Sequence, residues 1–325
     1  MNPLKAFTTV YSYPTPEVRS IVKQLVENYP SQLIEEGWIR SSLIDYQSKI
    51  FDELVALHSD VLGLNSFEYR YPTYGSDHAI CEYLLHLRLK EEKSLVYLLE
   101  NDYEGFEERA KQRDLSVRKV GLGEDFSNLM PGVWFISNPS ARDGNVLPEG
   151  TIERILEGGH RIVYDLAYLG TTDEREFDLS HENIDAAFIS FSKPYGLFSH
   201  RIGFSFFRRP VPSLEANALW FKNIFGLTLA WRIIGELAYT TYAARYKELQ
   251  RMIVKDLAAE TRLPLKASDA FLLAHVSEED ALGLNESQRA VLQPFARGNR
   301  YRLCLTPYFF ERAQRELVLH DSRLA

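Results

Sequence analysis

Apolar residues recur at helical spacing in the first sixty positions. Positions 15–17, Thr-Pro-Glu, carry a hydroxyl, a proline and an acid in the order that favours a helix start, and the apolar repeat that follows ends at Pro30. A second helix is predicted from Ser42 to about His58, because its apolar residues fall on one face: Leu43, Ile50, Phe51, Leu54 and Val55. Two amphipathic helices are therefore expected before the central part of the chain.

From Tyr74 the pattern changes to short apolar runs separated by amphipathic segments. The runs are SLVYLL at 94–99, GVWFIS at 132–137, RIVYD at 161–165, AAFISFS at 186–192 and IGFSFF at 202–207. Runs of this length, divided by helical stretches, are typical of strands in a mostly parallel sheet that is covered on both faces. The sequence therefore predicts an α/β layer architecture.

After Pro212 the pattern is helical over a long stretch, and short mixed elements then lead to YRLCLTPY near the end. This change predicts a second, smaller domain. The expected organisation is an N-terminal segment at 1–40 that joins the small domain, a large domain at 41–245 and a small C-terminal domain at 246–325.

Composition and charge exclude several classes of protein. The 325 residues are 45% hydrophobic and 25% charged, which is ordinary for a globular protein. A formal charge of -8 argues against a nucleic-acid partner. No stretch approaches the ~20 consecutive apolar residues that a membrane span needs. With no secretory pattern at the start, a cytoplasmic location without membrane contact is expected.

The two cysteines, Cys81 and Cys304, lie far apart and have neither metal-ligand nor redox spacing. They are interpreted as small packing residues with free thiols. No metal site is predicted.

Candidate chemistry lies directly after the apolar runs. In open α/β sheets, ligands bind outside the carboxyl ends of the strands. The polar residues at those positions are Asn138, Asp165, Tyr168, Ser190, Ser192, Lys193 and Arg201. Each has an ordinary explanation taken alone, as a turn former, a small strand residue or a surface cation. Their order and spacing along the chain make a site the better interpretation.

The block from Ser190 to Gly196, SFSKPYG, is followed by Arg201-Ile202-Gly203, and the arginine comes eight positions after the lysine. It resembles the S-x-S-K-x-x-G and R-x-G elements of the fold-type I pyridoxal-phosphate enzymes, in the class I/II aminotransferase group. The resemblance implies that Lys193 forms a Schiff base with the cofactor aldehyde. Once released by substrate, the lysine would move the α-proton as general base and acid.

Three further residues resemble the family's contacts to the cofactor ring. Asp165, in VYDLAY, matches the aspartate that pairs with the pyridine nitrogen and keeps it protonated. Tyr168 matches the tyrosine that bonds the phenolic oxygen. Asn138-Pro139 resembles the N-P-x-N-P-x-G loop, although Ala141 and Arg142 depart from that pattern. The resemblance implies that Asn138 shares the phenolic oxygen and also faces substrate.

The resemblance extends to the phosphate and to the substrate. Gly75, Ser76 and Asp77 precede an apolar segment and resemble the turn into a helix whose backbone N–H groups hold the cofactor phosphate. Ser190, Ser192 and Arg201 would complete this anion site. Tyr103 matches the aromatic residue that stacks on the ring. Arg302, in YRLCL, resembles the arginine that binds the substrate α-carboxylate through two hydrogen bonds.

The resemblance implies a mostly parallel, seven-stranded sheet with helices on both faces, a smaller α+β C-terminal domain, and a homodimer. The implied function is transfer of an amino group from an amino acid to a keto acid through pyridoxal 5'-phosphate. The same cofactor residues also serve lyases, decarboxylases, cyclases and oxidases, so these reactions stay open. A non-catalytic module that has kept the fold is a further alternative. The part before the phosphate turn is short, and the sequence shows no arm that would close the site.

Overall fold

The computed structural model of the chain describes residues 4–11, 13–28, 40–90, 94–173, 176–220, 223–237 and 239–321. Its helices are α1 Pro16–Asn28, α2 Arg40–Leu57, α3 Ser76–Lys90, α4 Glu104–Lys111, α5 Thr151–Glu157, α6 Pro212–Trp220, α7 Ile224–Glu236, α8 Tyr239–Thr261, α9 Glu278–Leu282, α10 Glu286–Leu292 and α11 Thr306–Asp321. Its strands are β1 Val61–Leu62, β2 Tyr69–Thr73, β3 Leu95–Leu99, β4 Ser116–Val120, β5 Val133–Ser137, β6 Arg161–Leu166, β7 Phe177–Asp178, β8 Ile184–Ser190, β9 Gly203–Phe207, β10 Lys266–Ala267, β11 Leu273–Val276, β12 Ala296–Arg297 and β13 Arg300–Cys304.

A seven-stranded sheet forms the centre of the molecule. Its strand order is β2-β9-β8-β6-β5-β3-β4, and the strands are parallel except β9, which is antiparallel to both β8 and β2. Buried apolar residues pack on both faces of this sheet in two separate clusters. The α/β architecture and the mostly parallel sheet predicted from the apolar runs are confirmed.

The strands with continuous apolar runs lie in the middle of the sheet. All seven residues of β8 and all five of β5 are buried. Full burial of one large side chain such as Phe188 contributes about 1.5–3 kcal/mol of transfer free energy. Burial therefore fixes the carboxyl ends of these central strands. The candidate site residues lie at or directly after those ends.

None of the apolar runs in the sequence predicts the edge strand β4. Its sequence, Ser-Val-Arg-Lys-Val, is mostly exposed or half-buried, and only Val120 is buried. Basic residues on an edge strand discourage pairing with another chain, and they also remove the apolar signal. The pattern of apolar runs therefore predicts the central strands of the sheet better than its edge strands.

A second, four-stranded antiparallel sheet has the order β10-β11-β13-β12. The N-terminal segment reaches it, because Phe7 and Cys304 exchange backbone hydrogen bonds of 3.1 and 3.0 Å. The domain boundary expected near residue 245 lies inside the helix Tyr239–Thr261. The division into domains stays a prediction.

Candidate active site

A cavity opens at the carboxyl ends of the central strands. Ten of the residues predicted from the sequence line it: Ser76, Asp77, Tyr103, Asp165, Tyr168, Ser190, Ser192, Lys193, Arg201 and Arg302. The other lining residues are Thr9, Val10, Glu104, Ser137, Ala141, Ala167, Phe198 and Arg297. Side chains separated by more than two hundred residues in sequence thus meet in one place.

Lys193 lies just beyond β8, in the turn that leads towards β9. Its Nζ lines the cavity and donates a hydrogen bond to the backbone carbonyl of Val10. Burial lowers the pKa of Lys193 to about 8. An amine with this pKa has a substantial neutral fraction near neutral pH, so it can act as a nucleophile and as a base.

Asp165 lies near the end of β6 and is only 4% exposed. Its Oδ1 accepts a 3.1 Å hydrogen bond from the Ala167 N–H. Burial, together with the nearby Asp102 carboxylate, raises the pKa of Asp165 to about 7. Such a carboxyl is well suited to a cationic N–H partner, which would compensate its charge inside the protein.

The start of α3 forms an anion-binding end of the cavity. Gly75 has φ 85°, and a Cβ atom there would lie 3.2 Å from Arg201 Nη2. A Cβ at Gly203 would lie only 2.7 Å from the Gly75 Cα. These two glycines therefore let the Arg201 guanidinium lie against the helix start, where free N–H groups and the helix dipole favour an anion.

Two neighbours of this anion end are held by other contacts. The Asp77 carboxylate is paired with Arg109, with 3.3 Å between Asp77 Oδ1 and Arg109 Nε, so its negative charge is offset. The Ser76 side chain lowers the pKa of Asp165, in opposition to burial, so the helix start lies near the end of β6. Arg201 itself has φ 51°, an unfavourable conformation for a residue with a side chain.

Two aromatic residues border the cavity. Tyr103 precedes α4, and a Cβ at Gly105 would lie 2.4 Å from its ring, so the glycine leaves room for the ring. Burial raises the pKa of Tyr103 to about 12, and burial also raises the pKa of Tyr168. Both phenols are therefore neutral hydrogen-bonding groups at physiological pH.

Asn138 does not line the cavity. Its Nδ2 donates to the Tyr164 hydroxyl at 2.9 Å, and its Oδ1 accepts from the Leu147 N–H at 3.0 Å. Both ends of the amide are thus used to hold the loop after β5. The residue of this loop that lines the cavity is Ala141, and the cofactor and substrate contacts of Asn138 stay a prediction.

Arg302 and Arg297 cover the opposite side of the cavity. Arg302, 8% exposed, donates to the Ala141 carbonyl and, at 3.3 Å, to the Thr8 carbonyl. Arg297 donates to the same Thr8 carbonyl at 3.3 Å and lies 3.6 Å from a Glu104 carboxylate oxygen. The Nε atoms of both arginines are buried and have no hydrogen-bond partner within the described residues. Two guanidinium groups therefore keep donors for an anionic ligand.

Sequence reasoning missed Arg297 and the N-terminal segment that carries Thr8 and Val10. A signal for the arginine existed: Gly298-Asn299 is a hairpin turn that pairs Arg297 with Arg300, so Arg297 shares a face with Arg302. Residues 4–11 contain no comparable pattern. They nevertheless pass beside the cavity, which corrects the expectation that the chain lacks a segment to close the site.

Within the described part of the chain, no group of three or more His, Cys, Asp or Glu side chains could hold a metal ion. Among the same residues, no helix has the length and apolar character that crossing a membrane requires.

Known proteins resemble this chain in part of its sequence and in its fold. No protein-family model matches the chain. The histidinol-phosphate aminotransferase of Thermotoga sp. (strain RQ2) is 35% identical over 94 residues, which are 28% of this chain and 26% of that protein. The Thermotoga maritima enzyme of the same name is 34% identical over the same length. The match thus spans about a quarter of the curated relatives.

Solved structures resemble nearly the whole chain. Histidinol-phosphate aminotransferase from Sinorhizobium meliloti, in complex with pyridoxal-5'-phosphate, has a TM-score of 0.62 at 15% identity, over 90% of this chain and 84% of that one. L-threonine-O-3-phosphate decarboxylase from Porphyromonas gingivalis has a TM-score of 0.63 at 17% identity, over 96% and 98%. At these identities the likeness establishes the fold, and the fold predicted from the resemblance is confirmed.

Proposed function

We propose that this chain, which has the fold of the fold-type I aminotransferases, is a pyridoxal-phosphate-dependent transferase that moves an amino group from an amino acid to a keto acid. One observation carries the proposal. The Lys193 amine, the Asp165 carboxylate and the Arg201 guanidinium open onto one cavity, beside the start of α3. An aldehyde, a protonated ring nitrogen and a phosphate are the three groups that this set would bind.

The residues present fit pyridoxal phosphate. The absence of Cβ atoms at Gly75 and Gly203 brings Arg201 against the free N–H groups of the helix start, which suits a phosphate dianion. The Ser190 and Ser192 hydroxyls add donors on the same cavity wall. When bound, the cofactor would supply the electron sink that stabilises a carbanion next to the substrate nitrogen.

Lys193 would hold the cofactor aldehyde covalently and move the substrate proton. Its lowered pKa leaves the Nζ lone pair available near neutral pH. Its present hydrogen bond to the Val10 carbonyl orients the amine within the cavity. Once substrate releases the amine, Nζ can accept and return a proton at the substrate α-carbon.

Arg302 would orient the substrate by its carboxylate. A carboxylate that replaced the Thr8 and Ala141 carbonyls as acceptor would gain charge-assisted hydrogen bonds. Arg297 beside it could bind a second anionic group, so acidic substrates belong in the first panel to be tested.

The test is a visible absorption spectrum of the purified chain with added pyridoxal phosphate, before and after a panel of amino acids. The expected result is a visible band that one donor removes and that a keto acid restores. Lys193→Ala should lack the band, and Lys255→Ala, an exposed lysine on α8, should keep it. A chain that forms no band with excess cofactor would refute the proposal.

A decarboxylase is the second candidate, since a decarboxylase of low identity shares the fold. The same panel separates the two reactions. Release of carbon dioxide without the need for a keto acid would identify decarboxylation, and consumption of oxygen would identify an oxidase.

The chain would act as a homodimer, as the family resemblance implies. Exposed apolar side chains on α2 and α6, Ile44, Leu219 and Trp220, are compatible with such an interface. Sedimentation equilibrium tests this, and an active monomer would contradict it.

A further inference from the structure

The backbone directly after Lys193 is fixed by a residue that lies outside the cavity. Pro194 is buried, and its carbonyl accepts a 2.8 Å hydrogen bond from the Tyr242 hydroxyl. The same hydroxyl lies 3.4 Å from Thr15 Oγ1. Tyr242 is on α8, is 5% exposed and does not line the cavity. It can therefore influence Lys193 only through the turn that carries the lysine, residues 193–196, here called the lysine turn.

The Tyr242 ring is held in place by its neighbours. Its centroid lies 5.7 Å from that of Tyr195 in the lysine turn and 5.0 Å from that of Tyr246 on α8. Arg245 and Tyr246 both bind the Glu17 carboxylate near the start of α1, at 2.5 and 2.7 Å. Packing and these two contacts therefore set the position of the Tyr242 hydroxyl before any ligand enters.

The N-terminal segment also contacts the lysine turn. Gly196 has φ 70°, and a Cβ atom there would lie 2.3 Å from the Pro14 Cα. Glycine therefore allows the backbone at Pro14 to lie directly against the turn. Nearby, the Val10 carbonyl accepts a hydrogen bond from the Lys193 amine. The position of this amine thus depends on contacts from both α8 and the N-terminal segment.

We propose that Tyr242 is a positioning residue, whose hydroxyl holds the Pro194 carbonyl and thereby keeps the Lys193 amine directed into the cavity. The inference deepens the proposed function and rests on it for the identity of the aldehyde that meets the amine. Reacting groups must be closely aligned, and a misplacement of about 1 Å can cost about 10²-fold in rate. A buried carbonyl without its donor is also costly, so the turn would shift towards another donor or water.

The first experiment uses the cofactor-free chain and measures the pKa of the Lys193 amine. The rate at which acetic anhydride modifies this lysine is followed as a function of pH, with the labelled peptide identified by mass spectrometry. Burial holds the pKa at about 8, against an ordinary value of 10.5. Tyr242→Phe should let the turn loosen and the amine reach solvent, so the pKa should rise towards the ordinary value. The charged and titratable groups that act on the amine stay the same in this variant: Cys304, Arg302, Asp165 and Arg201.

Tyr97→Phe is the matched control. Tyr97 is 1% exposed, and its hydroxyl donates to the Met130 carbonyl at 2.9 Å, away from the cavity lining. Both substitutions remove one hydroxyl and keep the packed ring, so both variants should fold. Tyr97→Phe should leave the pKa of Lys193 unchanged. A wild-type pKa in Tyr242→Phe, or an equal shift in both variants, overturns the inference.

The second experiment compares binding of pyridoxal phosphate and of pyridoxamine phosphate, which has an amine in place of the aldehyde. Pyridoxal phosphate can condense with the Lys193 amine, with loss of one water, whereas pyridoxamine phosphate relies on contacts to the ring and phosphate. Tyr242→Phe should weaken pyridoxal phosphate by about tenfold and leave pyridoxamine phosphate unchanged. Tyr97→Phe should change neither.

Equal weakening of both ligands in Tyr242→Phe would show that the hydroxyl supports the cavity as a whole, and it would overturn the inference. If the wild-type chain forms no visible band with pyridoxal phosphate, the proposed function fails. The pKa of Lys193 in the free chain then decides by itself whether Tyr242 positions the amine.

Discussion

The two sides of the cavity are built in different ways. The sheet side consists of Asp165, Lys193 and the α3 start, which project from elements of one buried sheet. The terminal side consists of residues 8–10, Arg297 and Arg302, which come from opposite ends of the chain. Its contacts run through backbone carbonyls: Val10 accepts from Lys193, and Thr8 accepts from both arginines.

This difference separates two tasks. The sheet side rests on strands that are buried over most of their length, and it carries the groups that would perform the chemistry. The terminal side rests on a few hydrogen bonds and carries the groups that would hold substrate. Changes on the sheet side should therefore reduce kcat, and changes on the terminal side should mainly raise KM.

The largest effect is expected for Lys193→Ala. Loss of the amine removes both the covalent attachment and the proton transfer, so kcat should fall by at least about 10³-fold. The rate of amino-group transfer with the identified donor measures this. Lys255→Ala is the control. Residual activity of Lys193→Ala above a tenth of wild type would contradict the proposed role of Lys193 in the reaction.

Asp165→Asn should lower kcat by about 10²–10³-fold, because it removes a preorganised charge at the ring nitrogen. Steady-state kinetics over a range of cofactor concentrations separates this effect from weaker cofactor binding. A rise in KM for the amino donor with an unchanged kcat would instead indicate that Asp165 acts in substrate binding.

Arg302→Lys tests the terminal side. Lysine keeps the charge but cannot form two parallel hydrogen bonds to a carboxylate, so KM for the amino donor should rise by about tenfold or more. kcat should change less than in Asp165→Asn. Arg251→Lys, an exposed arginine paired with Asp173, is the matched control. A loss confined to kcat would contradict the role in substrate binding.

The smallest effect is expected for Phe7→Pro. Proline removes the N–H that donates to the Cys304 carbonyl at 3.1 Å, which weakens the attachment of residues 8–10 by about 1 kcal/mol. KM for the amino donor should rise by a few fold. Phe7→Ala removes the ring contact to Tyr11 but keeps the N–H, so it should leave KM nearer to wild type. Equal effects of the two variants would assign the attachment to the ring.

Much of the sheet side could be predicted from the sequence. Apolar runs identified the buried strands, and polar residues directly after them, Asp165 and Lys193 among them, were expected at one edge because parallel strands end together. Asn138 also follows a strand, but the structure places it outside the cavity lining. Whether such a side chain faces the cavity depends on local hydrogen-bond partners, here Tyr164 and Leu147, that strand position alone does not reveal.

The sequence by itself determined the layered fold, the position of the strand ends and the order of the groups that follow them, because these depend on short-range periodicity. Only the tertiary structure decided that Thr8 and Val10 meet Arg302 and Lys193, and that Ala141 rather than Asn138 lines the cavity. Such contacts join distant segments through backbone atoms and buried charges. They leave no periodic pattern in the sequence, because they depend on how the packed elements are arranged in space.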